Sequence, residues 1–167
     1  RLIKESKTKL PFGLYICNSV QEEVGLRGAE MIVKKINPNI AIVTDVCHDT
    51  TTPMIDKKQH GEFKCGKGPV ITYAPAVHGI IRELILSTAE AQKIDIQRDA
   101  ASRVTGTDTD AFAYNGGGVP SALISLPLKY MHTTVETVAK SDVEDVIKLI
   151  FETLKKITPK MRLKYLS

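Results

Sequence analysis

Residues 40 to 46 read Ile-Ala-Ile-Val-Thr-Asp-Val, a run in which polar and apolar positions do not alternate. A strand with one wet face alternates, whereas one apolar on both sides must be covered on both sides. Ser-Ala-Leu-Ile-Ser at 121 to 125 repeats the pattern, and Gly-Pro-Val-Ile-Thr-Tyr at 68 to 73 is a third, shorter run. Stretches of helical period lie between them. Ala29, Ile32, Val33 and Ile36 share one face, before Asn-Pro-Asn at 37 to 39 ends that helix. Ile81, Leu84, Ile85 and Ala89 form the inner face of a helix from about His78 to Lys93. Val143, Val146, Ile147, Ile150 and Leu154 form the buried stripe of a last helix, expected to open on a Ser141-x-x-Glu144 capping box. Residues 12 to 19 are β-rich and follow Pro11, so a strand is expected there, completing a βαβ unit with the next helix and strand. Ile94 to Ala100 suggests a short strand, residues 106 to 120 a turn-rich segment that could include a short helix, and residues 49 to 67 an excursion loop. The fold class these imply is α/β: three α/β/α layers around a mostly parallel sheet.

At 167 residues the chain is the size of one domain, 1–167. Its net charge of +4 is modest. Lys4, Lys7 and Lys9 cluster near the start, and Lys155, Lys156, Lys160, Arg162 and Lys164 near the end, without interleaved aromatics. Such runs are solvated faces, which argues against a nucleic-acid partner. No apolar stretch approaches the ~20 residues of a membrane span. Cys17, Cys47 and Cys65 form no Cys-x-x-Cys pair, and Cys17 and Cys47 lie in or beside apolar runs. Buried free thiols and a cytoplasmic location are the expectation. Arg1 to Pro11 reads like the last turns of a helix and its exit, so the chain is expected to be a piece of a longer polypeptide.

Ligands of open parallel sheets bind beyond the carboxyl ends of the strands. Glu22 and Glu23 follow the strand expected at 12 to 19, Asp45 closes the strand at 40 to 46, and His132 follows the strand at 121 to 125. Three acids and a histidine on one rim suit Zn²⁺ or a neighbouring divalent ion. Each residue also has a plainer reading. An adjacent Glu-Glu pair can be a solvated turn, a strand-end aspartate a turn residue, and a loop histidine structural.

Gln-Glu-Glu-Val-Gly-Leu-Arg-Gly-Ala-Glu (21 to 30), Thr-Asp-Val-Cys-His-Asp-Thr-Thr-Thr-Pro (44 to 53), Gly-Thr-Asp-Thr-Asp-Ala-Phe (106 to 112) and the block from Gly116 to Glu136 stand in this order and spacing. Together they resemble the co-catalytic metallo-aminopeptidases of the glutamyl-aminopeptidase and tetrahedral-aminopeptidase group, from about Phe12 to the last helix. The resemblance implies a zinc-peptidase-like fold and a cytosolic hydrolase that assembles as a homo-oligomer. It would use two divalent ions, zinc or cobalt, to remove amino-terminal residues from peptides. By position, Glu22 would be the general base taking a proton from the attacking water. Glu23 and His132 would bind one ion and Asp45 the other. Asp108 and Asp110 would be substrate-side or supporting groups, and Lys129, where the family often has arginine, a rim cation.

The family's remaining ligands, a histidine in a His-x-Asp motif and a bridging aspartate, have no counterpart here. His48, His60 and His78 stand in no such motif. The chain therefore resembles the carboxyl-terminal part of the catalytic domain, with its amino-terminal part missing and three of five protein ligands present. Alone it is expected to bind metal weakly and to leave peptides intact. Alternatives are a related amidohydrolase or deacylase on the same scaffold, or a non-catalytic assembly subunit. An endoglucanase is disfavoured, because there is no tryptophan and few aromatics to stack on sugars.

Overall fold

A computed structural model describes residues 1–163. After a single helical turn, α1 (Leu2–Glu5), come α2 (Arg27–Ile36), β1 (Ala41–His48), α3 (Lys57–His60), β2 (Val70–Tyr73), α4 (Gly79–Gln92) and β3 (Gln97–Ala100). The chain continues with α5 (Asp108–Tyr114), β4 (Ser121–Lys129), β5 (Thr137–Val138) and α6 (Lys140–Lys156). The sheet order is β1-β4-β2-β3, with β5 on the end of β4. β1 runs parallel to β4 over its whole length, Ala41 opposite Ser121 and His48 opposite Leu128. β2 and β3 are also parallel, whereas the short β2–β4 and β4–β5 registers are antiparallel. The sheet is therefore mixed, parallel in its longest register.

Both faces of β4 are covered, as its unalternating sequence demands, whereas in β1 only Ala41 is buried and Thr44 and Val46 are exposed. On one face Ala122 and Ile124 pack with Ile71 beneath Ile81, Ile85 and Ala89 of α4 and Val146 and Leu149 of α6. On the other, Ala41 packs with Val33 of α2 and Val119, and Phe112 of α5 leans on them. These are the three layers expected. β2–α4–β3 is the βαβ unit that forms.

The unit expected around residues 12 to 19 does not form. That segment is not a strand: among the described residues no neighbouring strand accepts its backbone bonds. Its consequence for Cys17 is exposure instead of burial, while Cys47 and Cys65 are half-buried and all three thiols are free. The last helix also differs. It starts at Lys140 with Ala139 as N-cap and no side-chain cap, so the Ser141 box is not used. The chain leaves β5 at Val138 and turns into the helix before Ser141 is reached. Its buried line is Asp142, Val146, Leu149, Thr153 and Leu154, and Ile147 is 51% exposed. The apolar stripe read from sequence is thus split between the core and an open side. The lysines of the two basic runs are exposed, with Lys164 outside the described residues. Among the described residues no helix is long and apolar enough to cross a membrane.

The excursion loop 49 to 67 is fastened at its neck. Thr50 N–H donates to the Phe63 carbonyl at 2.9 Å, and Phe63 N–H donates to Thr50 Oγ1 at 3.0 Å. Asp49, 1% exposed, accepts the amides of Thr51 at 2.7 Å and Cys65 at 2.9 Å and the Thr51 hydroxyl at 2.5 Å. Burial alone would raise this carboxyl; the hydrogen bonds from Thr51 and Cys65 outweigh burial and hold it at about 2. A carboxyl depressed on folding stabilises the fold above its unfolded value near 4 and loses that contribution as pH falls through its folded value. Urea titrations should show unfolding free energy falling by about 2 kcal/mol between roughly pH 4 and pH 2 from this group. An Asp49→Asn variant that keeps the full acid slope would contradict this.

Candidate functional site

Glu22 and Glu23 sit on the turn between the extended segment and α2, and what places that turn is a glycine. Gly28 N–H donates to the Val20 carbonyl at 2.9 Å, and a Cβ on Gly28 would lie 2.4 Å from both the backbone N and O of Val20. The turn carrying the two glutamates therefore rests directly on the first turn of α2. Gly28→Ala should cost about 1–3 kcal/mol by overpacking and push that turn away. Shifted NMR signals for Val20 to Glu23, with α4 and α6 unmoved, are the expected readout.

The turn meets the carboxyl ends of β1 and β4. His132, in a left-handed conformation (φ 63°) just past β4, brings Nε2 to 3.2 Å from Glu23 Oε1, and its backbone N–H donates to Glu136. Asp45 is on β1 opposite Ser125 and accepts the Val46 amide at 2.7 Å. Asp108, the first residue of α5, is 8% exposed and accepts a hydrogen bond from the Ser19 hydroxyl. Its other oxygen, Oδ1, is buried without a hydrogen-bond partner.

These acids act on one another. Burial raises the Glu22 carboxyl above its ordinary value, and the charges of Asp45, Glu23 and Asp108 raise it further, against an opposing effect of His132. Burial likewise raises Asp45; the Val46 amide opposes this, and Asp108 and Glu23 add to the rise. The structure thus brings Glu22, Glu23, Asp45 and His132 together and makes Asp108 a member of the same cluster. Asp110 is turned elsewhere: it accepts the Thr105 and Gly106 amides at 2.9 and 3.0 Å, fastening the loop before α5. Lys129 stands opposite Thr137 at the β4–β5 register and does not line the cleft.

Glu22, Glu23, Asp45 and His132 share a cleft of about 480 Å³ with Cys47, His48, His60 and Asp99. The rings of His48 and His60 meet edge to face, with centroids 5.1 Å apart. Burial, then the neighbouring His60 and His132, lower the His48 imidazole. Burial raises Asp99, partly offset by the Ala100 amide, Thr72 and His60. Sequence reasoning set His48 and His60 aside because neither stands in a His-x-Asp motif. The usable signal was the closeness of His48 to Asp45, three residues on at the end of the same strand.

A helix-layered mixed sheet with this rim of acids and a histidine has the fold of the zinc-peptidase-like aminopeptidases. A TET aminopeptidase from the marine sediment archaeon Thaumarchaeota archaeon SCGC AB-539-E09 matches it with a TM-score of 0.87 at 29% identity, covering 96% of this chain and 45% of that one. The chain belongs to the M42 glutamyl aminopeptidase family, whose sequence pattern matches residues 1–149. It is 36% identical to a lysyl aminopeptidase of Pyrococcus furiosus over 146 residues, 87% of this chain and 41% of that protein. It is also similar to the TET1 peptidase of Pyrococcus horikoshii, which can assemble into a tetrahedron or a large octahedral shell (TM-score 0.65, 30% identity, 83% of this chain and 40% of that one). The chain spans less than half the length of each of these relatives.

The family's enzymes are metallopeptidases that need divalent ions. The donor chemistry here fits such an ion: carboxylates that raise one another, a histidine, and the unpaired Asp108 Oδ1 all favour a neighbouring cation. The convergence does not fit. Among the described residues no three or more His, Cys, Asp or Glu side chains gather closely enough to hold a metal ion.

Proposed function

We propose that the complete protein is a metal-dependent aminopeptidase that removes amino-terminal residues from peptides, and that this chain supplies its general base and part of its ligand set. The observation that carries the reading is the gathering of Glu22, Glu23, Asp45, Asp108 and His132 over the ends of β1 and β4. Glu23 and His132 would be ligands to one divalent ion, zinc or cobalt, and Asp45 to a second. Bound there, the ions would acidify a water and polarise the scissile carbonyl. Glu22 is the proton carrier: its carboxyl, raised by its neighbours, accepts the water's proton and returns it to the leaving amine. Asp108 steadies the glutamate-bearing turn through Ser19. Asp110 and Lys129 support the loop and the sheet, one step removed from substrate. Assembly into a homo-oligomer, as the relatives' shells suggest, belongs to the complete protein.

Two measurements test the reading. The complete protein should hydrolyse aminoacyl p-nitroanilides only with added Zn²⁺ or Co²⁺, and turnover that survives exhaustive chelation would refute the metal dependence. The 167-residue chain alone should bind zinc weakly by calorimetry and show no turnover. Tight zinc with robust activity in this chain would remove the claim that its site is partial.

A further inference from the structure

Glu22, Glu23, Asp45 and Asp99 are the carboxylates that line the cleft, and the first three belong to the cluster over β1 and β4. Asp99 stands apart on β3, at the edge of the sheet opposite β1. Alternation along β3 aims it inward: Gln97 and Asp99 are half-buried, Arg98 and Ala100 exposed. In register it faces Thr72 of β2, which is 2% exposed. Its carboxylate accepts the Ala100 amide at 2.7 Å and a hydrogen bond from the Thr72 hydroxyl. A carboxylate offers about four acceptor positions, so these contacts fix it and leave capacity for a donor from the cleft. Among the described residues no lysine or arginine forms an ion pair with it.

Inward charges on edge strands also guard against stray pairing. A guard needs no partner in a cleft, whereas Asp99 shares this one with the edge-to-face pair of His48 and His60. Among the described residues no ring nitrogen of that pair has a hydrogen-bond partner. Burial favours the neutral form of His48, and a neutral imidazole keeps one nitrogen as an acceptor. The group does not converge on a metal ion. What it offers is a carboxylate and imidazole acceptors, suited to an organic cation. The cleft, at about 480 Å³, has the size of a small-molecule pocket. Phe63 and Met131 line it too, and Phe63 is held in place by the Thr50 neck. Apolar wall leading to a carboxylate is what a lysine or arginine side chain covers, with its stem on carbon and its head on charge. An acidic side chain would instead meet Asp99 in a cleft that already holds Glu22, Glu23 and Asp45, and like charges brought together select against it. Among the described residues Arg103 is the cleft's only lysine or arginine, and it is exposed.

We propose that Asp99, with His48 and His60 beside it, binds the cationic side chain of the substrate's amino-terminal residue, so that lysine and arginine are the residues this site removes fastest. The ammonium or guanidinium donates to Asp99 and to the imidazole nitrogens, while the scissile bond lies at the Glu22 end. The reaction rests on the aminopeptidase reading above; the selectivity rests on Asp99.

The test compares lysyl with norleucyl substrates, which have the same stem without the charge. In the complete protein, with added Zn²⁺ or Co²⁺, kcat/KM for lysyl p-nitroanilide should exceed that for norleucyl p-nitroanilide about tenfold or more, the worth of one charge-assisted hydrogen bond. Glutamyl p-nitroanilide should be the poorest of the three. Asp99→Asn should collapse the lysyl-to-norleucyl ratio toward one. Glu90→Gln, which removes a negative charge from the exposed side of α4, should keep it. A parent ratio near one overturns the proposal, as does a ratio that survives Asp99→Asn. Binding separates the subsite from the reaction. If no anilide is turned over, the aminopeptidase reading fails by itself, and lysinamide should still bind the parent protein about tenfold more tightly than norleucinamide by calorimetry. Equal affinities for the two amides overturn the subsite whatever the turnover. Both amides are compared on the parent, so the answer does not depend on a variant folding.

Discussion

Replacing Glu22 by Gln in the complete protein is expected to lower kcat for aminoacyl p-nitroanilides by about 10²–10⁴-fold, the usual contribution of a positioned proton acceptor. The substitution preserves shape and hydrogen-bonding reach and removes only the ability to take a proton. KM and metal content should therefore stay near those of the parent, the pattern of an interaction made in the transition state alone. Glu23→Gln and Asp45→Asn should behave differently, losing metal before they lose turnover per bound ion. The asymmetry between adjacent glutamates is visible in their surroundings: Glu23 already reaches His132 at 3.2 Å, while Glu22 is more enclosed and is raised by Asp45, Glu23 and Asp108. A Glu22→Gln enzyme that keeps a third of its kcat would take the base role away from this residue.

Gly68→Ala is expected to cost the fold at least about 3 kcal/mol, at the upper end for one substitution. Gly68 has φ +85°, and an added Cβ would lie 1.9 Å from the Asp95 carbonyl oxygen, a backbone atom that cannot swing aside. The residue is also bonded on both sides. Its amide donates to Asp142 Oδ1 at 3.0 Å and its carbonyl accepts from Gln97 Nε2 at 2.8 Å. Asp142, fully buried at the start of α6, also takes the Gly66 amide at 2.7 Å. One carboxylate thus ties the approach to β2 to the last helix, while Gln97 ties it to β3. Gly66 is the control. It too has positive φ (+78°), but nothing lies within 4 Å of an added Cβ, so Gly66→Ala should cost only about 1–2 kcal/mol. Urea melts of the two variants should separate them clearly, and a Gly68→Ala chain within 1 kcal/mol of the parent would show that the Asp95 backbone yields.

The elements legible in the sequence were those whose packing partners are among the described residues. Residues 121 to 125 are apolar on both sides because α4 and α6 cover one face and α2 and α5 the other, so their pattern could be read directly; residues 40 to 46 share it but are buried fully only at Ala41. Residues 12 to 19 have as clear a β signature, and it failed because a strand is a property of a pair. The α6 stripe failed for a related reason: periodicity marks which side chains want cover, and Ile147 lacks it here. In the site, order along the chain located Glu22, Glu23, Asp45 and His132 at one rim. It could not separate Asp108 from Asp110, two residues apart on a short helix, since their difference lies in which loop each carboxylate faces.

The neck formed by Thr50 and Phe63 makes the stretch between them a self-contained cartridge. Met54 stands fully in solvent there. Because the two ends are clamped to each other, extra residues at Met54 need not move them, and doubling a closed loop costs only about 0.6 kcal/mol. A fluorophore or affinity tag could be grafted at that point, with the clamped neck keeping the flanking residues in place.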